Sequence, residues 1–376
     1  MIKFWSYDRE FKKYKNQILK KINKTILKGN IFFGEELNNF ENKFIKKYKA
    51  KYGIAVGSGT EALIIALKTL NLKKGDEIIT AANTAIPTIS AILNAGGKPK
   101  LVDIGEDYLI DVKKIEKSIS SKTRAIIPVH LYGQMSDMNK IIKIAKKNKI
   151  KIIEDCAQSQ GAKYNGKFSG TIGDFGCFSF YPTKILGAYG DGGFIFTNDY
   201  RSYLQIKRLR FYGIETVVKN KFTNKYYAFE NGFNSRLDEI QSSILNFKLN
   251  KVDFFINKRR QLAKKYYSNL LSTELSLPSE NKNCNHVYHL FTVYHKKAPQ
   301  IKKELLKHKI QTRTIYPYPI QKMKAYSKLI SNKKDLKNSE KKSKGIFCLP
   351  LYPELKINEL NKICNILKKI LKKKNF

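Results

Sequence analysis

Three clusters in the sequence carry side chains and backbone patterns that could do chemistry. The first is Gly57-Ser58-Gly59-Thr60-Glu61-Ala62-Leu63, which follows the strand-like run 53–56 and opens a helical stretch. Two glycines let backbone N–H groups approach an anion. The start of a helix adds unpaired donors and the positive end of its dipole, and Thr60 adds a hydroxyl. The same residues also make an ordinary capped turn. The second cluster is Ile152-Ile153-Glu154-Asp155-Cys156-Ala157-Gln158. It places the Asp155 carboxylate at the end of a strand, where open α/β sheets receive ligands; taken alone, Asp155 could equally cap a helix. The third is Phe178-Ser179-Phe180-Tyr181-Pro182-Thr183-Lys184, followed by Gly187 and Gly190-Asp191-Gly192-Gly193. A lysine just after an apolar, aromatic strand sits near low-dielectric surroundings. There an amine loses proton affinity, and the neutral form is the nucleophile that condenses with a carbonyl.

Taken together, a phosphate cradle, a carboxylate after a strand and a lysine 29 residues later are what pyridoxal phosphate requires. The phosphate anchors the cofactor, the carboxylate keeps the pyridine nitrogen protonated so that the ring is an electron sink, and the lysine forms the Schiff base.

The elements that must position these groups follow from hydrophobic period. Runs 77–80, 99–102, 125–129, 150–154, 177–180 and 194–197 read as short strands, and 61–70, 86–94, 112–118 and 137–148 have helical spacing. Such alternation implies crossovers and a largely parallel sheet covered on both faces. Residues 235–271 read as one long helix, with apolar residues at 237, 240, 244, 245, 249 and 252. Beyond it, 287–294 and 310–316 look like strands and 300–308 and 357–372 like helices. The division expected is a large cofactor-binding α/β domain over 1–250, then the connecting helix and a small α+β domain over 251–376.

Composition bounds the class. At 376 residues and 42% hydrophobic, the chain can bury a large core. No apolar run reaches the roughly 18 residues of a membrane span, and the start, MIKFWSYDREFKKYK, turns charged too early for a signal peptide. Five cysteines with no C-x-x-C pair argue against a disulfide framework or structural zinc and for a reducing cytoplasm. The net charge is +41, but only nine of the 72 basic residues are arginine. A nucleic-acid surface would favour arginine for bidentate contacts, so the lysine excess reads as compositional bias, and as a field that attracts anionic substrates. A basic nucleic-acid-binding protein is the distant alternative.

The sequence resembles the sugar aminotransferases of the DegT/StrS type, fold-type I pyridoxal phosphate enzymes, from about residue 33 to at least 318. The carriers are Val56–Leu63, Pro128-Val129-His130-Leu131-Tyr132-Gly133, Glu154–Gln158, Ser179–Lys184 with the following glycines, and Asn234-Ser235-Arg236-Leu237-Asp238-Glu239-Ile240-Gln241. The resemblance implies a mostly parallel mixed sheet flanked by helices. Lys184 would be the Schiff-base lysine and proton shuttle, Asp155 the partner of the pyridine nitrogen, and Gln158 that of the ring hydroxyl. Gly59, Thr60 and Ser179 would hold the phosphate. Asn234 would reach the phosphate from a neighbouring subunit, which implies a homodimer with shared active sites. Tyr181 and Tyr316 would line the sugar side. The implied reaction moves an amino group from L-glutamate, through pyridoxamine 5′-phosphate, to a nucleotide-linked keto-6-deoxyhexose.

Two positions depart from that family's pattern. Many relatives stack an aromatic ring on the cofactor from the position of Ala85, and several carry histidine at or near Gln321. The Tyr316-Pro317-Tyr318-Pro319 segment resembles enzymes that aminate a 3-keto sugar; a 4-keto sugar on dTDP, UDP or GDP is the alternative. A dehydratase of the same fold would lack the lysine, so Lys184 argues against it. No metal site is expected: His286 and His289, three apart on a strand, would point to opposite faces. His130 reads equally as a cofactor neighbour or a structural histidine. Asp191 reads as a turn former, Cys156 as a small buried residue, and Arg236 and Asp238 as the start of the long helix.

Overall fold

The computed structural model describes residues 1–215 and 226–372, and of the segment between them only the backbone at 217–218 and 221–222. Two helices precede the sheet. α1 (Tyr7–Leu27) buries Tyr14 and Ile18, and α2 (Glu35–Tyr48) buries Leu37, Phe40, Phe44 and Tyr48. That three-to-four-residue spacing turns one stripe of each helix inward. Strand–helix alternation then begins: β1 (Tyr52–Val56), α3 (Gly59–Lys68), β2 (Glu77–Ala81), α4 (Ile86–Asn94), β3 (Lys98–Val102), α5 (Val112–Ser118), β4 (Thr123–Ile127), α6 (Met138–Lys147) and β5 (Lys151–Asp155). After a short hairpin, β6 (Lys163–Tyr164) and β7 (Lys167–Phe168), come β8 (Phe175–Ser179), β9 (Gly193–Thr197) and α7 (Tyr200–Leu209).

Seven strands form one sheet in the order β1-β9-β8-β5-β4-β2-β3. Alternate residues feed opposite helical layers: Ile79 and Ile126 enter one apolar cluster, Ile78 and Ile127 the other. The parallel pairing expected from strand–helix alternation holds from β8 through β5, β4 and β2 to β3. It fails at β9, which runs antiparallel to both β8 and β1. The reason is the link from β8 to β9, which turns back without a helix; the Phe180 N–H bonds the Gly192 carbonyl at 2.7 Å. That link carries Lys184.

The chain continues through a hairpin, β10 (Val217–Val218) and β11 (Lys221–Phe222), to α8 (Glu239–Leu249), α9 (Val252–Leu270) and β12 (Cys284–Asn285). It ends with β13 (Phe291–Tyr294), α10 (Ala298–Lys307), α11 (Lys324–Ser327), α12 (Lys337–Gly345), β14 (Ile346–Leu349) and α13 (Ile357–Lys372). The single helix expected over 235–271 is two. Asp238 caps α8 through the Gln241 N–H at 2.7 Å, and a break at Asn250-Lys251 lets α8 pack on α1 and α2 while α9 turns to α13. The strand expected over 287–294 starts only at Phe291, because Tyr288 takes a left-handed φ of 48°. The expected strand 310–316 makes only single bridges, Ile310 to Ile2 and Arg313 to Cys348. β13 and β14 pair antiparallel, and Phe291 and Phe347 join Tyr266, Leu360, Ile363 and Leu367 in a third apolar cluster. All five cysteines are free, and no helix among the described residues is long and apolar enough to cross a membrane.

Candidate active site

The carboxyl ends of β1, β2, β4, β5 and β8 share one edge of the sheet, so the segments that follow these strands converge there. After β1, the Ser58 hydroxyl caps α3 by accepting the Glu61 N–H at 3.2 Å. The N–H groups of Gly59 and Thr60, in the first turn, have no partner within the helix. A Cβ on Gly59 would stand 2.6 Å from Ser179 Cβ, and one on Gly193 only 2.3 Å from the Ser58 carbonyl oxygen. Glycine at both places therefore brings the helix start, with its free donors, against the Ser179 hydroxyl at the end of β8. Ser235 braces the turn, accepting the Gly57 N–H at 3.1 Å and donating to Glu61 at 2.7 Å.

Asp155 ends β5, buried. Its Oδ2 accepts the Thr88 hydroxyl at 2.9 Å, and Thr88 pairs with Thr84 at 2.8 Å; its Oδ1 accepts the Ala157 N–H at 3.1 Å. Burial pushes the Asp155 carboxyl up from the usual carboxylate range, while these bonds and the charge of Lys184 pull the other way. The neighbouring Glu154 serves structure. It meets His130 Nε2 at 2.9 Å and accepts the N–H groups of Gly170, Ile172 and Gly173 at 3.0, 2.8 and 2.7 Å. His130 Nδ1 accepts the Ser136 N–H at 3.2 Å, so the proton sits on Nε2 and the ring spends itself on Glu154. The ring is paired within the fold, while the His130 N–H bonds the Asp155 carbonyl at 3.0 Å.

Lys184 lies in a tight turn whose N–H bonds the Tyr181 carbonyl at 2.8 Å, and Gly187 closes the loop where a Cβ would meet the Pro182 carbonyl at 2.5 Å. Burial lowers the Lys184 amine to about 8, with the Asp155 carboxylate opposing. Trp5, Glu10, Arg259 and Glu354 line a small cavity with it. His289, buried and kept neutral chiefly by its burial and then by the charge of Lys184, lies tilted against Trp5 with ring centroids 5.8 Å apart.

Gln158 and Tyr316 are joined: Gln158 Nε2 donates to the Tyr316 hydroxyl at 3.0 Å, and its Oε1 accepts the Tyr132 N–H at 2.9 Å. Burial pushes the Tyr316 hydroxyl well up. The structure thus gathers Gly59, Thr60, Ser179, Asp155, Gln158, Lys184 and Tyr316 on one edge. Tyr181 stands half-exposed beside that edge. Asn234 is exposed, bridged to the Phe211 backbone, and is not drawn into the group within its own chain. Arg236 lies over the Phe32 ring at 4.5 Å, and Asp238 caps α8. Ala85, at the N-cap of α4, offers only a methyl. Gln321 is buried and donates to the Ser339 hydroxyl at 3.0 Å, tied to α12. His286 and His289 sit before β13 rather than on a strand, and His286 stacks on Tyr288 at 4.0 Å.

Sequence reasoning missed Thr88, Tyr132, His289 and Trp5. Thr88 follows Asp155 by touch, not by sequence, being 67 residues away; Trp5, the single tryptophan, is the one that composition could have raised.

A weakly basic lysine, a buried carboxyl and an anion cup too tight for a side chain define an enzyme that carries a phosphorylated, carbonyl-bearing cofactor; the donor set fits pyridoxal 5′-phosphate. The profile of the DegT/DnrJ/EryC1/StrS aminotransferase family matches residues 12–368. A dTDP-3-amino-3,6-dideoxy-alpha-D-galactopyranose transaminase of Aneurinibacillus thermoaerophilus is 38% identical over 364 residues, covering 96% of this chain and 98% of that protein. A dTDP-3-amino-3,4,6-trideoxy-alpha-D-glucose transaminase of Micromonospora megalomicea subsp. nigra is 37% identical, covering 93% and 94%. The solved structure of Streptomyces venezuelae DesV in complex with a ketimine intermediate superposes with a TM-score of 0.94 at 31% identity, covering 99% of each chain. The chain belongs to the DegT/DnrJ/EryC1/StrS aminotransferase family. It is a transaminase that depends on pyridoxal 5′-phosphate.

Proposed function

We propose that the protein transfers the amino group of L-glutamate to a nucleotide-linked keto-6-deoxyhexose, foremost a dTDP-3-keto-6-deoxyhexose, giving a dTDP-3-amino-3,6-dideoxyhexose. The observation that carries this reading is Lys184, an amine held near 8 on the β8–β9 link at the edge where Asp155 is buried. The sugar class is supported by two relatives named for dTDP-3-amino sugars that align along more than nine-tenths of the chain.

The bound cofactor supplies an electron sink for breaking the donor's Cα–H bond. Lys184 would hold the cofactor, and its free amine would move the proton at the donor's Cα. Its lowered proton affinity leaves a usable share of free base near neutral pH. Asp155, fixed by Thr88 and the Ala157 N–H, holds a proton at the pyridine nitrogen. Gln158, oriented by Tyr132 and Tyr316, has one amide N–H left for the ring hydroxyl. Gly59, Thr60 and Ser179 receive the phosphate, and Tyr181 and Tyr316 flank the sugar. Asn234, exposed on its own chain, reaches the phosphate of a second copy, so the working form is a homodimer. In this reading residues 1–250 seat the cofactor and 251–376 form the smaller domain. The enzyme works in the cytoplasm, and its product goes to a surface polysaccharide or glycoprotein.

Incubating the enzyme and glutamate with dTDP-, UDP- and GDP-linked 3-keto and 4-keto sugars, then identifying products by mass spectrometry and NMR, tests the reading. Amination at C3 of a dTDP sugar supports it; amination only at C4, or only on another nucleotide, overturns the assigned substrate.

A further inference from the structure

Glu154 and Asp155 are consecutive at the end of β5, so their side chains leave opposite faces of the sheet. Glu154 is fully buried and its carboxylate is saturated. Oε1 accepts the Ile172 and Gly173 N–H groups, and Oε2 accepts the Gly170 N–H and meets His130 Nε2. Among the described residues, His130, Glu154 and Cys156 form the one cluster tight enough to hold a metal ion. Four donors on a group with about four lone pairs leave none for an ion, so the cluster has another use.

The carboxylate ties together three segments: β5, the stretch after β4, and the loop before β8. β4 ends at Ile127, yet pairing with β5 resumes beyond it, at Asp155. The Asp155 N–H bonds the Pro128 carbonyl at 3.0 Å, and the Asp155 carbonyl accepts the His130 N–H at 3.0 Å. Pro128 has no N–H to add a further bond. Past His130 the chain turns away, with Tyr132 at a left-handed φ of 60°. The His130 ring, held by Glu154 on one side and by the Ser136 N–H on the other, keeps residues 128–130 against β5. Glu154 therefore grips, from the face away from the site, the peptide that carries the Asp155 carboxyl; Thr88 and the Ala157 N–H grip the carboxyl itself.

We propose that Glu154 and His130 are positioning residues for Asp155: together they clamp its peptide to the segment after β4, so that its carboxyl keeps the one direction from which it serves the pyridine nitrogen. The inference rests on the reading of Asp155 given above and adds what holds it in place. A carboxyl that must keep a proton on one ring atom tolerates little movement, since a displacement of about 1 Å can cost roughly 100-fold in rate. Glu154→Gln preserves the size of the side chain but can accept at one end only. Either the His130 and Gly170 donors or those of Ile172 and Gly173 would then face an NH2 group, and the clamp opens.

The test uses holoenzyme loaded with pyridoxal phosphate isotopically labelled at the pyridine nitrogen, whose NMR signal reads whether that atom is protonated. The wild type is expected to show the pyridinium signal at neutral pH. Glu154→Gln, and His130→Ala, which removes one of the four donors, should move the signal toward neutral pyridine. Both should slow single-turnover removal of the glutamate Cα proton by roughly 10- to 100-fold, with little change in affinity for pyridoxal phosphate. In an Asp155→Ala background the same substitutions should slow that step no further, because their effect passes through Asp155. A merely structural role would lower the melting temperature and leave the ring signal where it was. An unmoved signal in the folded variants, or an equal further slowing in the absence of the Asp155 carboxyl, overturns the proposal; if Glu154→Gln does not fold, His130→Ala decides. A wild-type ring that is already neutral, or an Asp155→Ala rate equal to that of the wild type, would instead overturn the reading of Asp155 itself.

Discussion

Asp155 and Lys184 act on each other across the sheet edge. Burial pushes the carboxyl up and the amine down, and each charge pulls the other back toward ionisation. The balance leaves Lys184 near 8, far closer to working pH than its ordinary 10.5. Since Asp155 supports the Lys184 ammonium, replacing it with Asn should lower the amine further. Competitive labelling of the cofactor-free protein across pH measures this; a Lys184 midpoint that stays at 8 or rises would contradict the coupling.

The same shift gives a pH dependence of stability. Lys184 binds its proton more weakly folded than unfolded, so the folded state is penalised fully below about 8 and not at all above 10.5. Between these values the cofactor-free wild type should gain stability relative to Lys184→Met as pH rises, by at most about 3 kcal/mol. Denaturant melts of both proteins at pH 7, 9 and 10.5 check the sign.

Asp155→Ala should keep the cofactor, held by Lys184 and the phosphate cup, but slow removal of the donor's Cα proton by about 100- to 1,000-fold. Single-turnover bleaching with glutamate, compared with α-deuterated glutamate, reads that step. An unchanged rate would take Asp155 out of its role.

Gly59→Ala puts a methyl 2.6 Å from Ser179 Cβ, where both backbones are fixed. Affinity for pyridoxal phosphate should fall by roughly 10-fold or more, while affinity for pyridoxal, which has no phosphate, should change little. Equal losses for both ligands would separate Gly59 from the phosphate cup.

Glu239 is a structural counterpart. Its buried carboxylate accepts the N–H groups of Gly34, Glu36 and Leu37 at 2.8, 2.8 and 3.1 Å, pinning the start of α2 to the start of α8. Glu239→Ala leaves three donors unpaired and should cost about 2–4 kcal/mol in urea denaturation. A loss under about 0.5 kcal/mol would show that water replaces the carboxylate.

What could be read from the sequence was local. The Gly57–Thr60 turn, the Asp155 strand end and the Lys184 loop each announce themselves within ten residues, because a glycine pair at a strand–helix junction, an acid after an apolar run and a lysine before a glycine-rich turn are patterns of neighbours. The four helical crossovers, alternating in period with the strands, also point to a parallel sheet. What escaped depends on distant partners. Whether β9 returns antiparallel turns on the Phe180–Gly192 bond, Glu239 meets its donors over 200 residues away, and the break at Asn250-Lys251 exists because α8 and α9 pack on different neighbours.

The central claim is that the amine of Lys184 carries the cofactor. Reducing the holoenzyme with borohydride, digesting it and mapping the labelled peptide tests this directly. The label is expected on Lys184, within Tyr181-Pro182-Thr183-Lys184, and absent from Lys184→Arg. A label on any other of the 63 lysines, or no covalent label at all, would contradict it.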